Sequence, residues 1–204
     1  TLLAGLLLTA MTAQAKTITV LCLGDSLTAG YGLSPIKAYP RLLENMLKRD
    51  GYDVRVVNAG LSGDTSSGGL GRLDWSLKEN PDIAILELGA NDGLRGLPTD
   101  RLEANLDAAL TKLKSRNVLV LLAGMMAPRN MGKEYAERFD AVYPRLARRH
   151  DVAFYPFFLK GVAGKPDLNQ IDGIHPNAQG VELIVSNLYP HVKKLVKTVA
   201  ERPQ

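Results

Sequence analysis

Apolar strand-like runs alternate with amphipathic helix-like segments along most of the chain. Residues 17–23 form a continuous β-rich run, whereas residues 101–116 carry a leucine at every third or fourth position, which places the leucines on one helical face. Strands that are apolar throughout are typical of parallel sheets covered on both faces. The alternation therefore predicts an α/β protein, a three-layer α/β/α sandwich with a five-stranded parallel sheet of the flavodoxin-like type.

The same reading gives approximate bounds for each element. The predicted strands are residues 17–23, 53–57, 82–88, 118–123 and 152–157, and the predicted helices are residues 38–49, 66–78, 101–116, 133–149 and 180–199. Pro144 lies inside the fourth helix and should kink or restart it. Residues 158–177 form the longest irregular stretch, and loops held on a rigid sheet are where active-site residues tend to lie.

The first fifteen residues resemble a remnant of a secretory signal peptide. Residues 2–8 are an apolar run, and Ala13-Gln14-Ala15 matches an A-x-A cleavage site before Lys16. The run is too short to span a bilayer. We therefore expect a mature domain of residues 16–204 that is exported to the periplasm or secreted. A membrane anchor or a packed N-terminal helix is the alternative.

The length, charge and cysteine content of the chain limit the functions that it can have. The chain of 204 residues suits one domain, and its net charge of +4 comes from scattered basic residues, which does not make a nucleic-acid footprint. The single cysteine, Cys22, permits no intrachain disulfide, and its apolar surroundings predict a buried strand residue. We expect His150 to lie on the surface near a helix C-terminus, and His191, in the last amphipathic helix, to lie on the surface or pack at an edge.

Four short polar segments follow predicted strands or lie in the long irregular stretch. Open α/β sheets bind ligands at the carboxyl edge of their strands, so these segments are candidates for a common site. In chain order they are Gly24-Asp25-Ser26-Leu27, Ser62-Gly63-Asp64-Thr65, Gly89-Ala90-Asn91-Asp92 and Asp172-Gly173-Ile174-His175.

A nucleophile and its base can be drawn from the first and last segments. A serine hydroxyl needs a neighbouring base to take its proton, and Ser26 directly follows the first strand. His175 lies three residues after Asp172, so a turn at Gly173 can bring the carboxylate to Nδ1 and leave Nε2 facing the serine. Alone, this spacing is better explained as an Asp-Gly turn beside an incidental histidine. With all four segments present, we predict a catalytic set of Ser26, Asp172 and His175.

The two middle segments offer donors for a developing oxyanion. We predict that the backbone N–H groups of Ser26 and Gly63 and the side-chain amide of Asn91 serve this role. A glycine lets a backbone N–H approach the substrate with no side chain in the way. Taken singly, Gly63 could simply form a turn, and Asn91 a turn or a helix cap.

Other motif readings fail on spacing. Leu27 and Thr28 follow Ser26, so the G-x-S-x-G elbow of α/β-hydrolases is absent. The glycines after the first strand match neither a phosphate loop nor a dinucleotide fingerprint. No His, Cys, Asp and Glu cluster has metal-ligand spacing, so we expect no metal and no cofactor.

The four segments together resemble the SGNH subgroup of the GDSL esterase family, in particular its bacterial periplasmic group of thioesterases, lysophospholipases and arylesterases. The resemblance implies the SGNH hydrolase fold. It also implies that Ser26, Gly63, Asn91 and His175 are the residues that give the subgroup its name, with Asp172 as the acid.

The resemblance also implies substrate contacts. Residues 88–97, LGANDGLRGL, look like the family's substrate-side loop, which implies contacts from Asp92, Gly93, Leu94 and Leu97. Met125, in the apolar stretch 124–131, can line an acyl pocket or equally belong to the core.

The function expected from this resemblance is hydrolysis of carboxylic esters and thioesters by a serine esterase through an acyl-enzyme. The expected partners are small acyl esters or thioesters, with no nucleic acid, no stable membrane anchor after signal removal, and a monomeric state. Two alternatives stay open, a carbohydrate O-acetyl esterase of the same fold and a secreted binding protein that has lost catalysis.

Overall fold

Five parallel strands form one sheet in the order β2-β1-β3-β4-β5 in the computed structural model, which describes residues 16–202. This order is that of flavodoxin-like sheets, and it confirms the predicted sheet. Neighbours on both sides of β1 run in register with it, Gly24 pairing with Gly60 and with Glu87, so three strands end together at one edge. The strands are β1 Ile18–Gly24, β2 Val54–Gly60, β3 Ile83–Glu87, β4 Leu119–Ala123 and β5 Ala153–Tyr155.

Helices cover both faces of this sheet. On one face α2 packs against α8, and on the other α6 packs between α3 and α7. Every residue of β1 and β3 is buried, as expected for central strands covered twice. The helices are α1 Ser26–Ala29, α2 Tyr39–Arg49, α3 Ser66–Gly71, α4 Leu73–Ser76, α5 Ala90–Leu94, α6 Thr99–Ser115, α7 Lys133–His150 and α8 Ala178–Ala200.

The structure corrects three predicted elements. The helix predicted at residues 66–78 divides at Arg72 into α3 and α4, because the glycines of this segment favour helix poorly and Arg72 leaves helical geometry at φ −103°, ψ 3°. The strand predicted at residues 152–157 shortens to β5. Of the kink or restart predicted at Pro144, the restart does not occur, since α7 is continuous through this residue with Tyr143 and Leu146 buried on either side.

Two further predictions concern the chain's ends and its cysteine. The predicted signal remnant, residues 1–15, lies outside the described residues. Within residues 16–202, no helix has both the length and the hydropathy to cross a membrane. Cys22 is buried as predicted, and burial raises the pKa of its thiol to about 12.

Candidate active site

Ser26 is the first residue of α1 and directly follows the turn at Asp25, at the carboxyl edge of the sheet. Asp25 caps the short helix, because its Oδ1 accepts a hydrogen bond from the Leu27 N–H at 2.9 Å. The helix ends after one turn at Gly30, whose φ of 80° lies in the left-handed region. The sequence thus fixes Ser26 on a tight turn beside the strand, half-buried at the edge.

His175 and Asp172 reach Ser26 from the loop before α8. The His175 ring is 2.7 Å from Asp172 Oδ2 through Nδ1 and 2.8 Å from Ser26 Oγ through Nε2. Gly173 makes the turn between them with a φ of 69°. The other oxygen of Asp172 accepts hydrogen bonds from the backbone N–H groups of Ile174 and His175. The structure therefore brings the three predicted catalytic side chains into one hydrogen-bonded chain.

Hydrogen bonds determine the charge of Asp172. Donors from the His175 backbone, its ring and the Ile174 backbone lower the pKa of this carboxyl to about 2. An ionised Asp172 can only accept, so Nδ1 of His175 carries the proton and Nε2 accepts from the Ser26 hydroxyl. This tautomer is the one that a base acting on Ser26 requires.

Asn91 projects from α5, which begins after Gly89 at the end of β3. Its amide nitrogen donates to the Asp64 carbonyl at 2.9 Å and to Asp25 Oδ2 at 3.2 Å. A substrate oxyanion that accepts from the Asn91 amide would share this donor with Asp25 and the Asp64 carbonyl, or displace one of them. The structure places Asn91 and Ser26 on the wall of the same cleft.

Gly63 lies on the loop after β2 with a φ of 83°. A side chain here would have room, since its Cβ would meet nothing nearer than the Arg95 guanidinium at 3.7 Å. The local need for glycine is therefore the left-handed backbone rather than crowding within the protein. Within residues 16–202, the backbone N–H groups of Ser26 and Gly63 have no hydrogen-bond partner. Ser26 lines the same cleft as Asn91, whereas Gly63 does not.

Sequence reasoning missed the residue that joins these loops. The Arg72 guanidinium donates to the carbonyls of Gly24 and Ala59 and forms an ion pair with Asp64 at 2.6 Å. It thereby holds the ends of β1 and β2 to the loop that carries Gly63. In sequence, Arg72 reads as a solvent-facing helical residue, and the nearby run of glycines is the only sign that this helix is interrupted.

Two buried carboxyls lie beneath Ser26, and the sequence reasoning assigned no role to either of them. Burial raises the pKa of Asp25 to about 6 and that of Glu87 well above its ordinary value. The Thr28 hydroxyl donates to Glu87 at 2.7 Å, and a Cβ on Gly24 would come within 2.0 Å of that hydroxyl. A glutamate at the end of an otherwise apolar strand was the available sequence signal.

A small cleft of about 170 Å³ contains the side chains of Ser26, Asn91 and His175 in its wall. Its walls are otherwise apolar, and two of the predicted substrate contacts, Leu94 and Met125, line it. A larger groove of about 840 Å³ lies between α2 and α8, with none of the predicted site residues on it. The cleft is lined by Ser26, Leu27, Ala90, Asn91, Leu94, Met125, Met126, Pro128, Leu159, Ile174 and His175.

Three other predicted substrate contacts lie away from the cleft wall. Asp92 is buried, and its carboxylate accepts from the Ser66 backbone and hydroxyl at 2.8 and 2.6 Å, so it anchors α3 to α5. Gly93 is buried against the Phe139 ring. Leu97 is half-buried, and its carbonyl accepts from a tyrosine hydroxyl at 2.9 Å. Internal packing therefore accounts for all three residues.

The other histidines lie apart from this constellation. Nε2 of His150 lies 2.8 Å from Asp107, and the side chain is largely buried between α6 and α7 rather than on the surface as predicted. The His191 ring packs against Tyr155 at a centroid distance of 5.2 Å. In the described part of the chain, no group of three or more His, Cys, Asp and Glu residues could hold a metal ion.

Comparison with known proteins decides the family. Residues 22–183 match the GDSL-like Lipase/Acylhydrolase family. The chain belongs to this family. Esterase TesA of Pseudomonas aeruginosa is 43% identical over 197 residues, which cover 96% of this chain and 98% of TesA. The thioesterase 1/protease 1/lysophospholipase L1 of Escherichia coli K12 is 42% identical over 179 residues, covering 87% of this chain and 85% of the relative.

The solved structures agree with the sequence relatives. The crystal structure of TesA superposes with a TM-score of 0.83 at 43% identity and covers 87% of this chain and 99% of that one. The GDSL family member described here therefore has the SGNH hydrolase fold, and it is an enzyme of the serine esterase type.

Proposed function

We propose that this GDSL family member hydrolyses carboxylic esters and thioesters through a Ser26 acyl-enzyme. The observation that carries the proposal is the chain of hydrogen bonds from Asp172 through His175 to Ser26, at 2.7 and 2.8 Å, at the mouth of an apolar cleft. Nucleophile, base and orienting acid have the mutual geometry that acyl transfer requires.

The first half-reaction follows from the tautomer of His175. Ser26 Oγ attacks the carbonyl carbon while Nε2 takes the hydroxyl proton, and the ionised Asp172 stabilises the imidazolium. The carbonyl oxygen becomes an oxyanion that accepts from the N–H groups of Ser26 and Gly63 and from the Asn91 amide. The tetrahedral intermediate then expels the alcohol or thiol, which receives the proton from Nε2.

The second half-reaction returns the enzyme to its starting state. Water attacks the Ser26 ester while Nε2 accepts its proton, the same donors hold the oxyanion, and Nε2 returns the proton to Ser26 as the carboxylic acid leaves. Asp172 remains ionised in both halves because its pKa lies near 2.

The volume of the cleft limits the length of the acyl group that the enzyme can bind. Small-molecule pockets are typically about 300–1,000 Å³, and this one is about 170 Å³ with mostly apolar walls. It therefore fits a short to medium acyl group, with the alcohol or thiol part extending through the open mouth. The names of the relatives, esterase, thioesterase and lysophospholipase, support a broad range of leaving groups. We further propose that the enzyme acts as an exported monomer.

The direct test is hydrolysis of p-nitrophenyl esters with acyl chains of two to twelve carbons. The protein beginning at Lys16 should cleave short to medium chains best, and Ser26→Ala should lower kcat by about 10⁴-fold or more. Ser67→Ala is the matched control, because Ser67 is exposed on α3 and does not line the cleft. Equal turnover by wild type and Ser26→Ala would refute the mechanism.

The same panel of p-nitrophenyl esters distinguishes the proposed function from its two alternatives. Activity on acetate alone, with preference for acetylated sugars, would favour a carbohydrate O-acetyl esterase. A folded protein that cleaves no ester and fails to react with an organophosphonate probe would be a binding protein that has lost catalysis.

A further inference from the structure

Exposed apolar side chains are concentrated around the mouth of the cleft. Seven of the eight large apolar residues exposed in the described part of the chain lie between a strand and the helix α2, α3, α6, α7 or α8 that follows it, and every one of these five segments contributes at least one. We call this set the apolar rim. Its members are Tyr31, Ile36, Leu61, Leu94, Met126, Ile171 and Ile174.

The cleft accounts for fewer than half of the residues of the apolar rim. Leu94, Met126 and Ile174 line the cleft. The other rim residues do not line it: Tyr31, Ile36, Leu61 and Ile171. The Ile171 side chain is fully exposed, so no part of the described chain shields it from water. Single exposed apolar residues are ordinary, but a ring of them around one opening marks an interaction surface.

Charge on the same loops points to the kind of partner. Five cationic side chains are exposed there, whereas only two carboxylates are, Asp167 and Asp172, and Asp172 is engaged by His175. Three of the cations have contacts within the protein and remain solvent-accessible. Arg95 donates to the Gly63 carbonyl, Arg129 pairs with Asp140, and Lys37 pairs with Glu182 at 4.0 Å. The cationic residues are Lys37, Arg95, Arg129, Lys160 and Lys165.

We propose that the apolar rim is a docking surface for an anionic lipid bilayer. The apolar side chains would enter the boundary between headgroups and acyl chains, and the surrounding cations would be attracted to the anionic headgroups. Docking in this orientation turns the mouth of the cleft toward the bilayer, so an acyl chain can pass from the lipid phase to Ser26. The contact is peripheral and reversible and needs no membrane-spanning helix.

Vesicle sedimentation tests this proposal independently of hydrolysis. Protein carrying Ser26→Ala is mixed with vesicles of phosphatidylcholine alone or with one third phosphatidylglycerol. Binding is expected to the anionic vesicles and to weaken as salt is raised. Replacing two rim residues outside the cleft, Leu61→Ser with Ile171→Ser, should weaken that binding by about tenfold. Trp75→Ser is the control, because Trp75 is also exposed but lies on α4.

Fluorescence locates the contact on the molecule. The chain has one tryptophan, so Trp75→Phe combined with Ile171→Trp moves the only indole to the apolar rim. Its emission should shift to shorter wavelength when anionic vesicles are added, whereas emission from Trp75 in the parent protein should not. Circular dichroism melting checks that each variant is folded.

Three outcomes would overturn the proposal. These are no sedimentation with anionic vesicles, equal sedimentation of the folded Leu61→Ser, Ile171→Ser variant, and an emission shift from Trp75 instead of from the indole at position 171. Equal binding to vesicles of phosphatidylcholine alone would overturn the electrostatic part and with it the choice of an anionic bilayer.

Discussion

The two carboxylates on either side of Ser26 have opposite environments. Asp25, at the end of β1, has no exposed surface, and burial raises its pKa to about 6. Asp172, on the loop before α8, has a side chain that is 37% exposed, and hydrogen bonds lower its pKa to about 2. The carboxyl of Asp25 therefore helps to position the strand-edge half of the site, whereas the carboxylate of Asp172 supplies a negative charge in the other half.

The two halves are also fixed differently. The strand-edge half, around Asp25, is held by contacts between distant segments, such as the Arg72 bond to Gly24. The loop half, around Asp172, is held mainly by short-range bonds within its own loop. Its contact with a distant segment is made by Gln170, whose side-chain amide donates to the Tyr31 carbonyl at 2.7 Å and also to the nearby Pro176 carbonyl at 3.0 Å. Damage to the strand-edge half should therefore cost stability as well as rate, whereas damage to the loop half should cost mainly rate.

The largest effect in this comparison is expected from Asp172→Asn. An asparagine cannot hold Nδ1–H of His175 as an ionised acceptor does, so the wrong tautomer is favoured and kcat should fall by about 10⁴-fold. The melting temperature should change little, because this half contributes few buried contacts. Ester hydrolysis and thermal melting measure the two quantities.

Asp167→Asn is the control for that change, because Asp167 is an exposed carboxylate on the same loop. Its kcat should stay within about twofold of wild type, as for most surface substitutions. If both variants lost activity equally, loop charge rather than the contact with His175 would be responsible.

A smaller loss of rate, combined with a loss of stability, is expected from Asn91→Ala. Removal of one oxyanion donor typically lowers kcat by about 10²–10³-fold. The same amide also donates to Asp25 and to the Asp64 carbonyl, so its loss should lower the free energy of unfolding by about 1–3 kcal/mol. Hydrolysis kinetics and urea unfolding test the pair of effects.

Asn105→Ala separates the two effects. The Asn105 amide donates to Ser66 Oγ at 2.9 Å and does not line the cleft. This variant should lose stability while kcat is retained. A rate loss in Asn105→Ala as large as in Asn91→Ala would mean that both act through packing alone.

The smallest effects should appear in the pH dependence of stability. The folded pKa of Asp25, about 6, exceeds its ordinary value of 3.8, so the native state binds more protons between these values. The free energy of unfolding contributed by Asp25 should therefore be highest below pH 4 and fall by at most about 3 kcal/mol as the pH rises to about 6. Asp25→Asn should remove this fall, seen in urea unfolding from pH 4 to 7.

The free energy of unfolding contributed by Asp172 should change with pH in the opposite direction. Its folded pKa, about 2, lies below the ordinary 3.8, so its stabilisation is present above pH 4 and is lost as the pH falls toward 2. This contribution should be small, because the carboxylate is 37% exposed and solvent screens it. Glu87→Gln distinguishes the two buried carboxyls. Burial raises the pKa of Glu87 well above its ordinary value, so this variant should remove a fall of the same sign, while the part of the slope due to Asp25 should persist. An unchanged slope in Asp25→Asn would contradict the assignment of the buried proton to Asp25.

The sequence by itself determined the elements and the identity of the candidate site residues. Continuous apolar runs and leucine periodicity are local signals, so they predicted the parallel sheet and the clear helix at residues 101–116, observed as Thr99–Ser115. The spacing of Asp172, Gly173 and His175 is also local, and the structure closes that turn as expected.

Only the tertiary structure decided which residues support the site. Arg72 joins Gly24 across 48 positions, and Asp92 is turned inward to Ser66 across 26. Periodicity and spacing report the environment of a residue relative to its own element, so they cannot show a contact between elements. The size of the cleft, the burial of Asp25 and the assembly of the apolar rim from five loops depend on such contacts, and folding alone brings those loops to one edge.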